Sequence, residues 1–308
     1  MDNNIFQKNV ALLSRYTEQE EAMEPANDSP LPSVEALHEI VQLVKMIVFP
    51  GFFDKRNTNS MVRSYHIGVN MERLAQLLHQ QLRRALLFNT DEADQQESQG
   101  EAADQQAEKV TMMFIDRLPE LKRLLFTDVE AIYNDDPAAK TYGEVVFSYP
   151  VIQAMLHYRV AHELYAMGIP VIPRIITEEA HANTGIDIHP GARIGEYFSI
   201  DHGTGVVIGE TCIIGNHVTL YQGVTLGAKN FKLEGGCRTG EVNHDVPRHP
   251  IIEDNVTIYS NSTLLGRITI GHDTVVGGNI WLTHSVPPHS KILQSKALDV
   301  SFTGGLGI

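Results

Sequence analysis

Three short polar clusters interrupt an otherwise aliphatic stretch of this chain: Gly185-Ile186-Asp187-Ile188-His189-Pro190, Ser199-Ile200-Asp201-His202-Gly203-Thr204-Gly205 and Arg248-His249-Pro250. Among them His202 is the side chain best suited to remove a proton near neutral pH. Asp187, fifteen residues earlier, offers a carboxylate that would fix the imidazole tautomer and stabilise the imidazolium formed on proton uptake. No serine or cysteine stands in a Gly-X-Ser-X-Gly setting, so a covalent intermediate is not indicated. Direct attack by an acceptor hydroxyl that His202 deprotonates is the simpler chemistry.

The scaffold that must position these groups is written in the spacing of the apolar residues. They recur every six positions at Ile188, Ile194 and Ile200, then, after a slip of two, at Ile208, Ile214, Leu220 and Leu226. The series resumes at Ile252, Ile258, Leu264, Ile270, Val276 and Leu282, and Gly follows several members, as in Ile194-Gly195 and Ile270-Gly271. A period of six fits no α-helix. A short strand and a tight corner repeated at that interval stack like side chains into inward columns, which is a parallel β-helix. Asp201 and His202 fall beside the two-residue slip, where the backbone is irregular and side chains could project outward, and Asp187 falls on the neighbouring coil. Residues 229–247 break the period and read as a loop extruded from the stack.

Ahead of the repeat the pattern is helical. Val34, Leu37, Ile40, Val41, Val44, Ile47 and Val48 follow a cap at Ser33 and stop at Pro50-Gly51. A second apolar face uses Leu74, Leu77, Leu78 and Leu82, and a third runs between Ile152 and Leu164 with Gly168 and Pro170 as stop signals. Residues 91–108 carry seven acidic side chains and no basic one, and read as a solvated helix face or loop. The expected organisation is α+β: helical residues 1–182, a β-helix over 183–290 and a tail over 291–308. A net charge of −14 and a pI near 5.4 argue against sequence-independent nucleic-acid binding. The most apolar stretch, residues 40–53, is interrupted by Gln42 and Lys45 and falls short of the roughly 20 residues that span a bilayer. The N-terminus lacks the basic start and apolar run of a secretory signal, so a cytoplasmic location is expected. Cys212 and Cys237 give neither a disulfide framework nor a metal-ligand spacing.

Over residues 134–288 the chain resembles the serine O-acetyltransferases of the hexapeptide-repeat acyltransferase family. The resemblance rests on Asp135-Asp136-Pro137-Ala138, Asp187-Ile188-His189-Pro190, Asp201-His202-Gly203-Thr204-Gly205, Gly209-Glu210-Thr211, Gly223-Val224-Thr225-Leu226-Gly227, Arg248-His249-Pro250 and Val286-Pro287-Pro288. It implies a left-handed β-helix and transfer of acetyl from acetyl-CoA to the hydroxyl of L-serine, the first step of cysteine biosynthesis, without a metal. By the same resemblance His202 is the general base and Asp187 its partner. Asp136 and Asp201 hold the substrate amine, and Arg248 and His249 its carboxylate. Gly227, Ala228, Ser260, Gly277 and Gly278 are implied to line the acetyl-CoA groove between neighbouring β-helices of a trimer, and the helical N-terminal part to pair two trimers into a hexamer. L-cysteine is implied as a feedback inhibitor. The terminal Ile308 is implied to enter the active site of cysteine synthase.

Beside a noncatalytic scaffold, two other readings with a site of their own compete. One is a β-helix acetyltransferase acting on a sugar, against which an amine-and-carboxylate clamp argues. The other is a zinc site of the β-helix carbonic-anhydrase kind, with His202, His244 and His249 cast as ligands.

Overall fold

The computed structural model describes residues 3–21, 30–53, 59–88, 97–229, 233–234, 237–238 and 246–295. Among them eight helices precede the first strand of the repeat: α1 Asn3–Leu13, α2 Glu18–Glu21, α3 Val34–Val48, α4 Ser60–Leu86, α5 Glu97–Asp135, α6 Tyr142–Ser148, α7 Pro150–Ala166 and α8 Ile172–Thr184. Ser33 caps α3 as its type and position demand, its side chain accepting from the Ala36 N–H. The acidic segment is helical from Glu97, and α5 continues for 39 residues, carrying Pro119 within it. Leu37, Val44, Leu78, Leu82, Phe114 and Leu125 are buried in the core that these helices share. No helix among the described residues is long and apolar enough to cross a membrane.

After α8 the chain winds into a three-sided parallel β-helix. One side carries β1 Asp187–Ile188, β4 Val207–Ile208, β7 Thr225–Gly227, β12 Thr263–Leu265 and β15 Trp281–Leu282. The next carries β2 Arg193–Ile194, β5 Ile213–Ile214, β10 Ile251–Ile252 and β13 Thr269–Ile270. The third carries β3 Ser199–Asp201, β6 Thr219–Tyr221, β11 Thr257–Ile258, β14 Val275–Val276 and β16 Lys291–Ile292. The two remaining strands, β8 Leu233–Glu234 and β9 Cys237–Arg238, form an antiparallel pair in the segment read as an extruded loop. The six-residue series is the inward column: Ile188, Ile208, Leu226, Leu264 and Leu282 on the first side are all buried. Each fully buried aliphatic side chain contributes about 1.5–3 kcal/mol of transfer free energy. Small or apolar residues two places before members of that series pack with it, since Ala192, Val206, Cys212 and Ser262 are inaccessible. Cys212 is thus a core residue, and burial pushes its thiol up to about 12.

The regular pitch of the coil is eighteen residues, Val207 pairing with Thr225 and Thr263 with Trp281, and it shortens to sixteen in the last coil, where Val275 pairs with Lys291. In the first coil it is twenty, Asp187 pairing with Val207 and Ser199 with Thr219. The slip seen in the sequence is therefore two residues added at one corner, between Asp201 and Val207.

The helical part is fastened to this first coil. Arg159 forms a buried bidentate pair with Asp128 (2.6 and 2.7 Å) and donates on to the Gly195 carbonyl at 2.9 Å, while the Tyr158 hydroxyl donates to the Ala192 carbonyl at 2.7 Å. Asp128 also accepts from the Phe198 N–H. This almost fully buried ion pair gains from these extra bonds, which reduce the desolvation cost of the two charges although burial still pushes the Asp128 carboxyl up on balance.

Candidate active site

The two added residues make a bulge at the edge where the third side turns into the first. Along that edge Gly185, Gly205, Gly223, Asn261 and Asn279 occupy matching positions in successive coils, and all have positive φ. His202 lies outside this ladder and takes φ +59° on its own account, followed by Gly203 at +82°. A histidine in the left-handed region is uncommon, and here it turns the ring away from the core. The side chain is 71% exposed. Gly203 has no alternative, because a Cβ there would drive into the Ile186 side chain.

The bulge faces the end of α5 and the start of α7 across a cavity of about 350 Å³ lined by Asp135, Asp136, Tyr149, Asp201 and His202. Asp136 sits just past the helix end, where its Oδ1 accepts the Ala138 N–H at 2.8 Å and its Oδ2 accepts the Tyr149 hydroxyl at 2.6 Å. The Tyr149 hydrogen bond, then the Ala138 N–H, hold the Asp136 carboxyl below its usual range. The phenol, bonded to a carboxylate, is pushed up to about 12 and stays a donor at any neutral pH. Asp135 is tied down separately by the Thr219 hydroxyl at 2.8 Å. Asp201 Oδ1 lies 3.8 Å from His202 Nδ1, an electrostatic neighbour beyond hydrogen-bond range. Three carboxylates around one imidazole make this a cavity for an ammonium group beside a proton acceptor.

Asp187 begins the first strand of the first side, one coil before the bulge and at the same edge. No hydrogen bond joins it to His202. Its carboxylate lies instead within 4.8 Å of ligand atoms on Glu178 and His181 of α8.

Arg248 and His249 stand elsewhere, on the edge where the first side turns into the second. Arg248 pairs with Glu210, which also accepts the Tyr165 hydroxyl at 3.1 Å. Burial alone would raise the Glu210 carboxyl, but the Arg248 hydrogen bond and the neighbouring charges lower it on balance. Thr211 Oγ1 accepts the backbone N–H groups of both Arg248 (2.8 Å) and His249 (3.1 Å). His249 Nδ1 accepts the Thr211 N–H at 3.1 Å, which leaves the proton on Nε2. The ring is buried against Gly209, where any Cβ would collide with it. Burial first, and then the Arg248 charge, depress His249 to about 4. It is a neutral N–H donor at pH 7, so of this pair only Arg248 is a cation.

The residues expected to face acetyl-CoA divide in the same way. Register aligns Thr204, Gln222, Ser260 and Gly278 along the edge that carries His202, with the Ser260 carbonyl receiving the Asn279 N–H at 2.8 Å. A Cβ on Gly278 would stand 3.3 Å from that carbonyl and one on Gly277 3.0 Å from the Ile292 carbonyl. Gly227 and Ala228 lie at the other end of the first side, toward Arg248, with Gly227 opposite Leu265. The cast of zinc ligands does not assemble within the chain, because His202 and His249 occupy different edges; His244 lies outside the described residues, as does Ile308. Tyr149 was not foreseen; its only signal was an aromatic residue immediately before a helix-initiating Pro150.

A parallel β-helix of six-residue steps, broken at one corner to expose a histidine beside carboxylates, defines the class of hexapeptide-repeat acyltransferases. The chain is 46% identical over 279 residues to the "Serine acetyltransferase, plasmid" of Synechococcus elongatus, an alignment covering 91% of this chain and 86% of that one. Serine acetyltransferase 1 of Entamoeba histolytica, solved in complex with L-cysteine, superposes with a TM-score of 0.71 at 33% identity over 92% of this chain and 94% of that chain. The soybean serine acetyltransferase complexed with serine gives 0.52 at 26% identity, over 85% and 96% of the two chains. No family profile matches the sequence. The chain belongs to the serine acetyltransferase family.

Proposed function

We propose that the chain transfers acetyl from acetyl-CoA to the hydroxyl of L-serine, giving O-acetylserine and CoA. The observation that carries this reading is the cavity in which Asp136 and Asp201 flank His202. The carboxylates take the ammonium of serine and set its hydroxyl against the exposed imidazole. His202 removes the hydroxyl proton as the oxygen attacks the thioester carbonyl. The tetrahedral adduct then collapses, the C–S bond breaks, and the same proton passes from His202 to the departing CoA sulfur. Asp187, at the same edge, is assigned the orienting role toward the imidazolium.

The site is written in two halves at opposite ends of one side of the prism, with His202, Asp136, Asp201, Ser260, Gly277 and Gly278 toward one edge and Arg248, His249, Gly227 and Ala228 toward the other. A cyclic trimer in which one edge of each copy meets the other edge of the next unites the halves. Arg248 then supplies the charge and His249 a neutral N–H for the serine carboxylate. Small residues let acetyl-CoA lie between two β-helices. The helical N-terminal part is assigned the pairing of trimers. L-cysteine, a serine isostere, fits the same clamp and would act as a feedback inhibitor of cysteine biosynthesis, and Ile308 is the proposed contact to cysteine synthase.

The test is CoA thiol release from acetyl-CoA with serine, threonine and amino sugars as acceptors. Serine-dependent release that falls by about 10²–10⁴ in His202→Ala is expected. Turnover with sugars alone, or full activity in the variant, would overturn the reading.

A further inference from the structure

A second set of side chains gathers at the third edge of the prism, where the second side turns into the third. In successive coils Tyr197, His217, Asn255, Asp273 and His289 hold the same position, and all five adopt φ between +54° and +59°. The left-handed corner turns each side chain outward in register with the next. At the last two rungs this brings His289 over Asp273, with His272 alongside. Asp273 Oδ2 lies 2.7 Å from His272 Nδ1 and 3.6 Å from His289 Nδ1. The two imidazoles meet edge to face at 4.9 Å between centroids. One ligand atom from each of the three residues falls within 4.8 Å of the other two.

The geometry points to a site for one divalent transition-metal ion, held by His272, Asp273 and His289, that clasps the last two coils together. Two imidazole nitrogens aimed at one carboxylate oxygen form an N₂O donor set, which suits zinc, cobalt or nickel better than calcium or magnesium. Three protein ligands leave a fourth position to water. The carboxylate is already oriented from behind, since Asn255 Nδ2 donates to its other oxygen at 3.1 Å, the kind of outer contact that fixes a metal ligand. Glu253, whose carboxylate accepts the His272 N–H at 2.8 Å, adds negative charge beside the site. His272 and Asp273 belong to the corner before β14 and His289 to the corner before β16. An ion there cross-links the final described strand, Lys291–Ile292, to the coil beneath it. The site stands on a different edge from His202, so its role is to fasten the end of the β-helix and not to take part in acyl transfer.

The test uses the full chain, stripped with a chelator and titrated with Zn²⁺ by calorimetry and with Co²⁺ by visible absorption, alongside His289→Asn and Asp273→Asn. Asparagine is chosen because it tolerates the left-handed backbone at both corners. The native chain is expected to bind one equivalent more than either variant, with the d–d bands of nitrogen-ligated cobalt. A saturating ion, at about a hundredfold excess over Kd, should raise the unfolding midpoint by roughly 5 °C. In both variants the shift should vanish while the metal-free midpoint and serine-dependent activity stay where they were. Equal stoichiometry in the native chain and the variants, or no binding by the native chain, would overturn the proposal.

Discussion

Replacing Tyr149 with phenylalanine removes a single oxygen from the proposed serine cavity, and its consequence follows from the partners of Asp136. That carboxylate has two fixed donors, the Tyr149 hydroxyl at 2.6 Å on one oxygen and the Ala138 N–H at 2.8 Å on the other. In Tyr149→Phe one donor is lost, but Asp136 is partly exposed and water takes the vacated place. The loss should lie at or just below the low end of the range for hydrogen bonds to a charged group, about 1–1.5 kcal/mol. Taken wholly as lost orientation of the carboxylate toward the serine ammonium, that sets an upper bound of roughly five- to twelvefold on the rise in KM. The Asp136 carboxyl, held low chiefly by the phenol, should climb back toward its usual range, moving the acid limb of kcat/KM to higher pH. His202 has no bond to Tyr149, so kcat should change by less than about twofold. Steady-state thiol release over a range of serine concentrations and pH separates these effects. A fall in kcat at unchanged KM would refute the assignment of Asp136, supported by Tyr149, to the amine.

Arg159→Met leaves the fully buried Asp128 without its counter-charge and should destabilise the chain by about 3–5 kcal/mol, read as a lower denaturant midpoint. His249 is depressed to about 4 in the folded chain against an ordinary value near 6.5. The unfolded chain therefore binds the extra proton first as the pH falls, and the stability held above about 6.5 should drain away between there and 4. His249→Gln, which keeps a neutral donor, should flatten that part of the profile. Gly209→Ala places a methyl group where the His249 ring lies, so the ring must leave its seat against Thr211. The expected outcome is a higher KM for serine with the fold retained by circular dichroism.

The repeat was legible because one physical requirement, an inward side chain at every sixth position, is renewed about a dozen times along the chain. The slip before Ile208 was legible for the same reason, and the structure turns it into the bulge that exposes His202. Helix α3 was readable from its cap and periodicity. Helix α5 was not, since its polar opening and Pro119 hide a continuous 39-residue helix that tertiary packing sustains. Types and motifs named Asp136, Asp201 and His202, which share one cavity. Spacing could not tell that Arg248 and His249 stand at another edge, because the path between them includes the expanded loop. Tyr149 and the His272, Asp273 and His289 group escaped notice since their partners come from other helices or from coils of unequal length.

The eighteen-residue pitch also bears on how such a chain can change over generations. Every coil reads its register from the coil below, so a single residue added within a side would turn the side chains that follow it in that strand inside out. Residues added at a corner are simply pushed outward, and the count resumes. Two residues at one corner and the long segment before Arg248 at another are insertions of this kind, separated by a scaffold that ignores both. The corners can thus acquire new chemistry independently, while the three sides remain bound to a strict count.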